Sequence, residues 1–445
     1  MRVTRLTRHG HKTLQAIFCQ PSAPLQPREF IAMPHPRFIL AILPLLAHLA
    51  AAQTLVPSES WSRHAIDDSS TGADGVKLGD ANNDGLLDVV TGWEQGFVTR
   101  AYLHPGKDRV RAKWPSVEIG STPSVEDATW VDLDGDSYLD VVSSCEGKEM
   151  AMHLHFAPKS GDTLDASQWT QAPLPGSKGV TRWMFAEAAE LHFKGKARRL
   201  LFAASKDPNG TIGFWEIPRN PRSPTSKWRW TPLADAGWVM SIFPRDMDGD
   251  GDLDVFYIDR KGPFRGARWL ENPGSPSGRW TNRLIGGSNM EQLFGKLADL
   301  DGDGLVDVLS TAKDRKVIWW RRLDASGLKW EKRVLEYPEN TGRAKAVAAG
   351  DLDHDGLLDL VITCESAVPP LNGAFWIRQI KDKPFHSWEF RGMSGPDGVK
   401  YDRIELIDLD QDGDLDVLTC EEQHVVNGVT KGLGVFWYEN PIADR

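Results

Sequence analysis

An all-β fold, a seven-bladed β-propeller of four-stranded blades, is what this 445-residue sequence predicts. Three observations predict it. A nine-residue loop rich in aspartate, followed by a β-branched apolar run, occurs six times. A tryptophan opening a short strand-like segment occurs seven times, at Trp61, Trp114, Trp169, Trp228, Trp280, Trp330 and Trp388. With one degenerate copy inserted, the loops recur every 52 to 58 residues, a period that short strands fill as a propeller blade.

The loops begin at Asp80 (DANNDGLLD), Asp132 (DLDGDSYLD), Asp246 (DMDGDGDLD), Asp299 (DLDGDGLVD), Asp351 (DLDHDGLLD) and Asp408 (DLDQDGDLD). Each runs into a buried-strand pattern: Val89-Val-Thr, Val141-Val-Ser, Val255-Phe-Tyr, Val308-Leu-Ser, Leu360-Val-Ile and Val417-Leu-Thr. The gap after the second loop is double length and holds a degenerate copy, Glu190 to Arg198, before the strand-like Leu200–Ser205. Lys194, Lys196 and Arg198 stand there where an ion and its ligands would sit, so no calcium is expected at the third blade. A third strand per repeat is marked by aromatic pairs such as Phe214-Trp215, Trp319-Trp320 and Trp437-Tyr438. The last repeat lacks its tryptophan-led outer strand, whereas the chain opens with one, Trp61 to Ile66, that has no blade before it. The first strand is therefore expected to complete the last blade and remove an open sheet edge.

The loops point to calcium. Positions 1, 3, 5 and 9 carry Asp80, Asn82, Asp84 and Asp88 in the first, and Asp132, Asp134, Asp136 and Asp140 in the second. The others carry Asp246, Asp248, Asp250 and Asp254; Asp299, Asp301, Asp303 and Asp307; Asp351, Asp353, Asp355 and Asp359; and Asp408, Asp410, Asp412 and Asp416. Backbone carbonyls at position 7 come from Leu86, Tyr138, Asp252, Leu305, Leu357 and Asp414. Such an all-oxygen cage suits calcium, while zinc wants nitrogen or sulfur and magnesium a stricter octahedron. Glycine at position 6, replaced by Ser137 in the second loop, allows the sharp turn. An EF-hand would need a glutamate at position 12 and flanking helices, and neither is present. The alternative is a solvated acidic turn, which leaves six separate copies without a shared cause.

From about Trp61 to Asn440 the repeats resemble the FG-GAP and VCBS family, whose loops bind calcium in seven-bladed propellers such as the integrin α-chain head. Phe294-Gly295 alone keeps a literal Phe-Gly ahead of a loop, and no Gly-Ala-Pro follows, so adhesion is not carried over.

Residues 33–52 read as a signal peptide, with MPHPR, then FILAILPLLAHLAAA, and cleavage near Ala52; residues 1–32 read as a mis-assigned start or a leader extension. The mature chain, residues 53–445, is expected to be one propeller, secreted or periplasmic, a monomer, with no transmembrane segment. It holds 46 basic against 61 acidic residues, a net −15, which about six structural calcium ions would bring to about −3. Nucleic acid is thus not an expected partner. Cys145, Cys364 and Cys420 survive cleavage, an odd number near the ends of second strands, and are read as small buried apolar groups.

In a four-stranded blade the metal turn joins strands one and two, so function is expected on the opposite face. The sixth residue after each loop gives Glu94, Glu146, Arg260, Lys313, Glu365 and Glu422, with Lys206 equivalent in the third blade. Acids thus fall in blades 6, 7, 1 and 2, and bases in blades 3, 4 and 5. Entry segments add Asp74, Glu126, Asp127 and Asp402 on the acidic side and Trp183 and Trp238 on the other, with Lys345 and Arg403 as exceptions. This predicts a mouth for a polar ligand such as a carbohydrate, or for a surface protein. Ordinary surface salt bridges around a channel are the plain alternative. No catalytic signature appears, and the catalytic residues are unknown. Glu94 with Glu146, His424 and Tyr401 are the candidates if the protein is instead a carbohydrate-active lyase or dehydratase, and a broad protein-interaction scaffold is the third reading.

Overall fold

The computed structural model describes residue 55 and residues 60–159, 162–193, 195–275, 278–381, 387–422, 424–426 and 428–442, with the backbone alone at 193, 424, 426 and 429–431. The segments read in the sequence as a leader extension and a signal peptide, residues 1–52, lie outside these residues. Among those described are seven four-stranded antiparallel sheets, one two-stranded hairpin, His424–Val426 with Val429–Lys431, and one 3-10 turn at Ala166–Gln168. No helix among them is long and apolar enough to cross a membrane.

The innermost strands of blades 1 to 7 are Ala73–Gly79, Val125–Val131, Arg182–Phe193, Val239–Arg245, Gln292–Ala298, Arg343–Gly350 and Tyr401–Ile407. Each adjoins the next, and the seventh adjoins the first, which closes the ring. The second strands are Asp88–Trp93, Asp140–Cys145, Lys196–Lys206, Asp254–Asp259, Asp307–Ala312, Asp359–Glu365 and Asp416–Glu421. Their β-branched runs are buried on both faces because each sheet is sandwiched between neighbouring blades. Outer strands such as Ser116–Ser121 alternate between buried and exposed, as expected where one face meets water.

Six of the seven tryptophans open or immediately precede an outer strand, and Trp114 lies two residues ahead of one. Trp114, Trp169 and Trp330 donate their indole N–H to Val110, Thr163 and Gly327 carbonyls at 2.9, 2.9 and 2.7 Å, locking the connection that leads into that strand. The closing strand is Ser62–Asp67, which pairs antiparallel with Gly434–Glu439, Ser62 opposite Glu439 and His64 opposite Trp437. The expected closure is therefore present.

The third blade departs from the others. Its degenerate repeat forms no open loop, because the two strands continue past the position of the metal turn and pair Glu190 with Arg199, Leu191 with Arg198 and Phe193 with Lys196. Lys194 lies outside the described residues. Cys145, Cys364 and Cys420 are buried and unbridged, as expected.

Candidate functional site: metal loops and the opposite face

Each acidic loop is organised by its own carboxylates. The position-1 aspartate accepts the N–H of position 6 in all six loops, as Asp299 does from Gly304 at 2.8 Å and Asp351 from Gly356 at 3.0 Å. The position-5 aspartate accepts from the N–H of position 7, as Asp303 does from Leu305 at 2.9 Å. Position 6 lies in the left-handed region, from φ 73° at Ser137 to φ 103° at Gly413, and so does position 4, from Asn83 to Gln411. A side chain at Gly304 or Gly356 would meet nothing within 4 Å, so backbone conformation and not space is what favours glycine there.

The ninth-position aspartates have a role the sequence did not reveal. Each opens a second strand, is buried, and spans two segments: Asp88 takes the N–H of Ala81 and of His104, both at 2.8 Å, and Asp416 those of Leu409 and Asn440, both at 2.9 Å. Asp307 takes three, from Leu300 N at 3.2 Å, Arg322 N at 2.7 Å and the Trp319 indole at 2.8 Å. Burial pushes their carboxyls up, to about 6 at Asp88 and Asp307 and about 8 at Asp416.

Whether the loops fit a cation is answered by what their side chains lack. In four loops the carboxylates of positions 1, 3 and 5 bring ligand oxygens within 4.8 Å of one another: Asp132, Asp134 and Asp136; Asp246, Asp248 and Asp250; Asp299, Asp301 and Asp303; Asp351, Asp353 and Asp355. Asp134, Asp301 and Asp353 each turn Oδ2 to an arginine, Arg222, Arg321 or Arg378, and keep Oδ1 buried with no hydrogen-bond partner. An oxygen left unpaired at the same place in three loops, with its twin anchored from outside, fits an ion held by a supporting outer layer. Among the described residues the fourth blade's loop has no such arginine, and burial together with Asp250 and Asp248 raises Asp252 to about 6. The donor set is all oxygen and suits calcium.

On the opposite face the seven positions marked in the sequence are structurally equivalent. Glu94, Glu146, Arg260, Lys313 and Glu422 each leave a second strand and donate their N–H to the residue before the blade's first strand, at 2.7 to 3.2 Å, while Lys206 and Glu365 pair across to Arg182 and Arg343. Seven bulges interrupt the first strands just inside this level, among them Asp74/Lys77, Val125/Asp127 and Tyr401/Ile404. The bulges turn charged side chains into the channel. Lys77 meets Asp127 at 2.9 Å and Glu187 at 2.7 Å, Arg403 meets Asp127 at 3.0 Å, and Lys345 meets Glu422 at 3.1 Å and Asp402 at 3.5 Å. Lys400 also pairs with Glu422, and Lys206 with Glu146. Lys345 and Arg403, exceptions to the charge pattern, are its counterions.

Asp74, Glu94 and Glu422 bring carboxylate oxygens within 4.8 Å of one another. Burial, then Asp402 and Glu126, push the Asp74 carboxyl well up, and burial with Glu146 does the same to Glu126. Burial pushes the Asp402 carboxyl up, but Lys345, the Asp74 hydrogen bond, Arg403 and Lys400 together hold it below the usual range.

Of the expected face residues, Asp74, Asp127, Asp402, Glu422 and Trp183 are buried. Trp183 is buried between blades 2 and 3, its ring 4.9 Å from Trp215 and 5.4 Å from Trp230, because it lies one residue inside the strand and ahead of the bulge. Asp127 is sealed in the channel by Lys77 and Arg403. Tyr401 is also enclosed, its hydroxyl donating to Asp397 O and sharing a bond with Tyr438, both at 2.7 Å, so it is a structural tyrosine. The His424 side chain lies outside the described residues. Lys77, which the sequence reading missed, had one signal: a charge set between the apolar Val76 and Leu78 of an inner strand.

Fold and loops together define a seven-bladed β-propeller with acidic turns between the first and second strands of six blades. Residues 299–362, from the acidic loop of blade 5 through the acidic loop of blade 6, match the FG-GAP-like repeat family model. No curated protein matches the sequence. Among solved structures, YCF48 from Cyanidioschyzon merolae superposes with a TM-score of 0.51 at 11% identity, covering 86% of this chain and 99% of its own. BBS1N, crystallised in complex with ARL6DN and soaked with mercury, gives 0.49 at 9% identity, covering 86% and 98%. Likeness at these identities concerns the fold.

Proposed function

We propose that this protein is an exported, calcium-stabilised binding module that holds a carbohydrate or other polar surface ligand on the face opposite its metal loops, without transforming it. The observation that carries this reading is the division of that face into an acidic and a basic half by seven equivalent strand ends. Binding is favoured over catalysis because the carboxylates suited to acid–base work are engaged: Glu146 by Lys206, and Glu422 by Lys345 and Lys400. The test is a glycan array probed with the mature protein in calcium, run beside a polysaccharide turnover assay. Retention of a glycan with no product supports the reading; product formation without retention contradicts it.

A second reading, a protein partner, is favoured by apolar side chains exposed around the acidic half: Phe97, Val368 and Val425, 50 to 65% exposed. Pulldown with envelope proteins, with and without chelator, separates the two.

A further inference from the structure

We propose that the basic half of this face binds the anionic groups of an acidic polysaccharide, carboxylates or sulfate esters carried on successive sugars. This rests on the ligand-face reading and names its ligand.

Lys313, Arg315 and Arg343, with Asp314, line an open depression of about 520 Å³ where the second strand of blade 5 ends and the first strand of blade 6 begins. Beside it, toward blade 4, stands Glu291, whose Oε2 accepts from Arg260 at 3.2 Å and faces Lys313 Nζ at 3.5 Å. Arg260 and Lys261 in turn lie 4.6 Å from the Trp238 ring centroid. Five cationic side chains thus follow the rim of blades 4 to 6, with Glu291 and Asp314 among them, Glu365 across from Arg343, and Asp259 accepting the Lys261 N–H. Lys261, Arg315 and Arg343 have no ion-pair partner among the described residues. Although burial pushes the Glu291 carboxyl up, Arg260, Lys313 and Lys261 hold it below its usual range, so the local field is positive on a chain of net charge −10.

A row of cations spaced over three blades suits several anions on one extended molecule better than a single ion. Arginine forks match the paired oxygens of carboxylate and sulfate. A nucleic acid strand is disfavoured, since binding it would call for a free aromatic face on which bases stack. Trp238 offers none, with Lys206, Arg260 and Lys261 over its ring at 4.3 to 4.6 Å. A wide duplex would also overlie the acidic half, which begins at Glu365, directly across the strand pair from Arg343.

The experiment is calorimetry of the mature protein in calcium with dextran sulfate, polygalacturonate, neutral dextran and oligo-dT, repeated with an Arg315→Ala/Arg343→Ala double variant and with Lys107→Ala, remote from the site, as control. Thermal melts of each variant verify folding, and Arg315→Glu stands in should the double variant fail to fold. The expected result is binding of one or both acidic polysaccharides in preference to dextran and oligo-dT, weakened roughly tenfold or more in the double variant with a shallower salt dependence, and unchanged in the control. Equal binding by the double variant, or preference for oligo-dT, overturns the proposal. Binding of neutral dextran alone overturns it while leaving the ligand face intact, and binding of no glycan overturns both.

Discussion

Within one metal loop, two aspartates six residues apart divide the labour. Asp307 is an internal clamp, whereas Asp301 keeps an oxygen unpaired and leans on Arg321. Asp307→Ala orphans three buried donors and should lower the unfolding free energy in EDTA by about 3 kcal/mol or more. Asp301→Ala should change metal-free stability by less than about 1 kcal/mol, since its arginine pair is partly exposed, but should shrink the stabilisation that calcium adds. Urea denaturation with and without calcium measures both, and equal losses in EDTA would contradict the division. The acidic spacing was legible in the sequence because ligands for one ion must cluster locally. The clamp was not, since its second partner is a backbone N–H some 15 to 24 residues away, as between Asp307 and Arg322 or Asp416 and Asn440. Trp183 was misplaced for a similar reason: a bulge changes which way a strand residue points, and nothing local in the sequence marks it.

Among the elements, the closing strand matters most, and it could be read from the chain because an orphan outer strand at one end answered a missing one at the other. Its side chains bind on both sides. Asp67 accepts from Arg100 and the Tyr102 hydroxyl of blade 1, both at 2.9 Å, and His64 meets Glu439 at 2.6 Å. Burial pushes Asp67 up, yet its bonds to Ser69, Arg100 and Tyr102 hold it below the ordinary 3.8; Arg111, then His64, hold Glu439 below 4.5. Carboxyls with depressed values in the folded state add stability that is complete above those ordinary values and lost as pH falls through the lowered ones. The melting temperature of the native protein should therefore drop more steeply between pH 5 and 3 than that of an Asp67→Asn/Glu439→Gln variant, by about 2 °C. Parallel curves would show that these bonds do not hold the ring shut.

The molecule as a whole is a ring stabilised at two levels, by internal ion pairs near its axis and by acidic turns at one end. The charge split of the other end was legible because one residue per blade sits at an equivalent place. Its neutralisation by Lys77, Lys345 and Arg403 depended on bulges and long-range pairing. What the sequence predicted most firmly, and the unpaired loop oxygens support, is that the turns hold divalent cations. Each occupied site should stabilise the fold by about 2.7 kcal/mol at calcium a hundredfold above its Kd. The most direct test is the calcium content of the purified mature protein together with its melting temperature in calcium and in excess EDTA. The account predicts about six ions per chain and a melting temperature several degrees lower in EDTA, restored by adding calcium. A protein free of bound calcium that melts at the same temperature in both would contradict it.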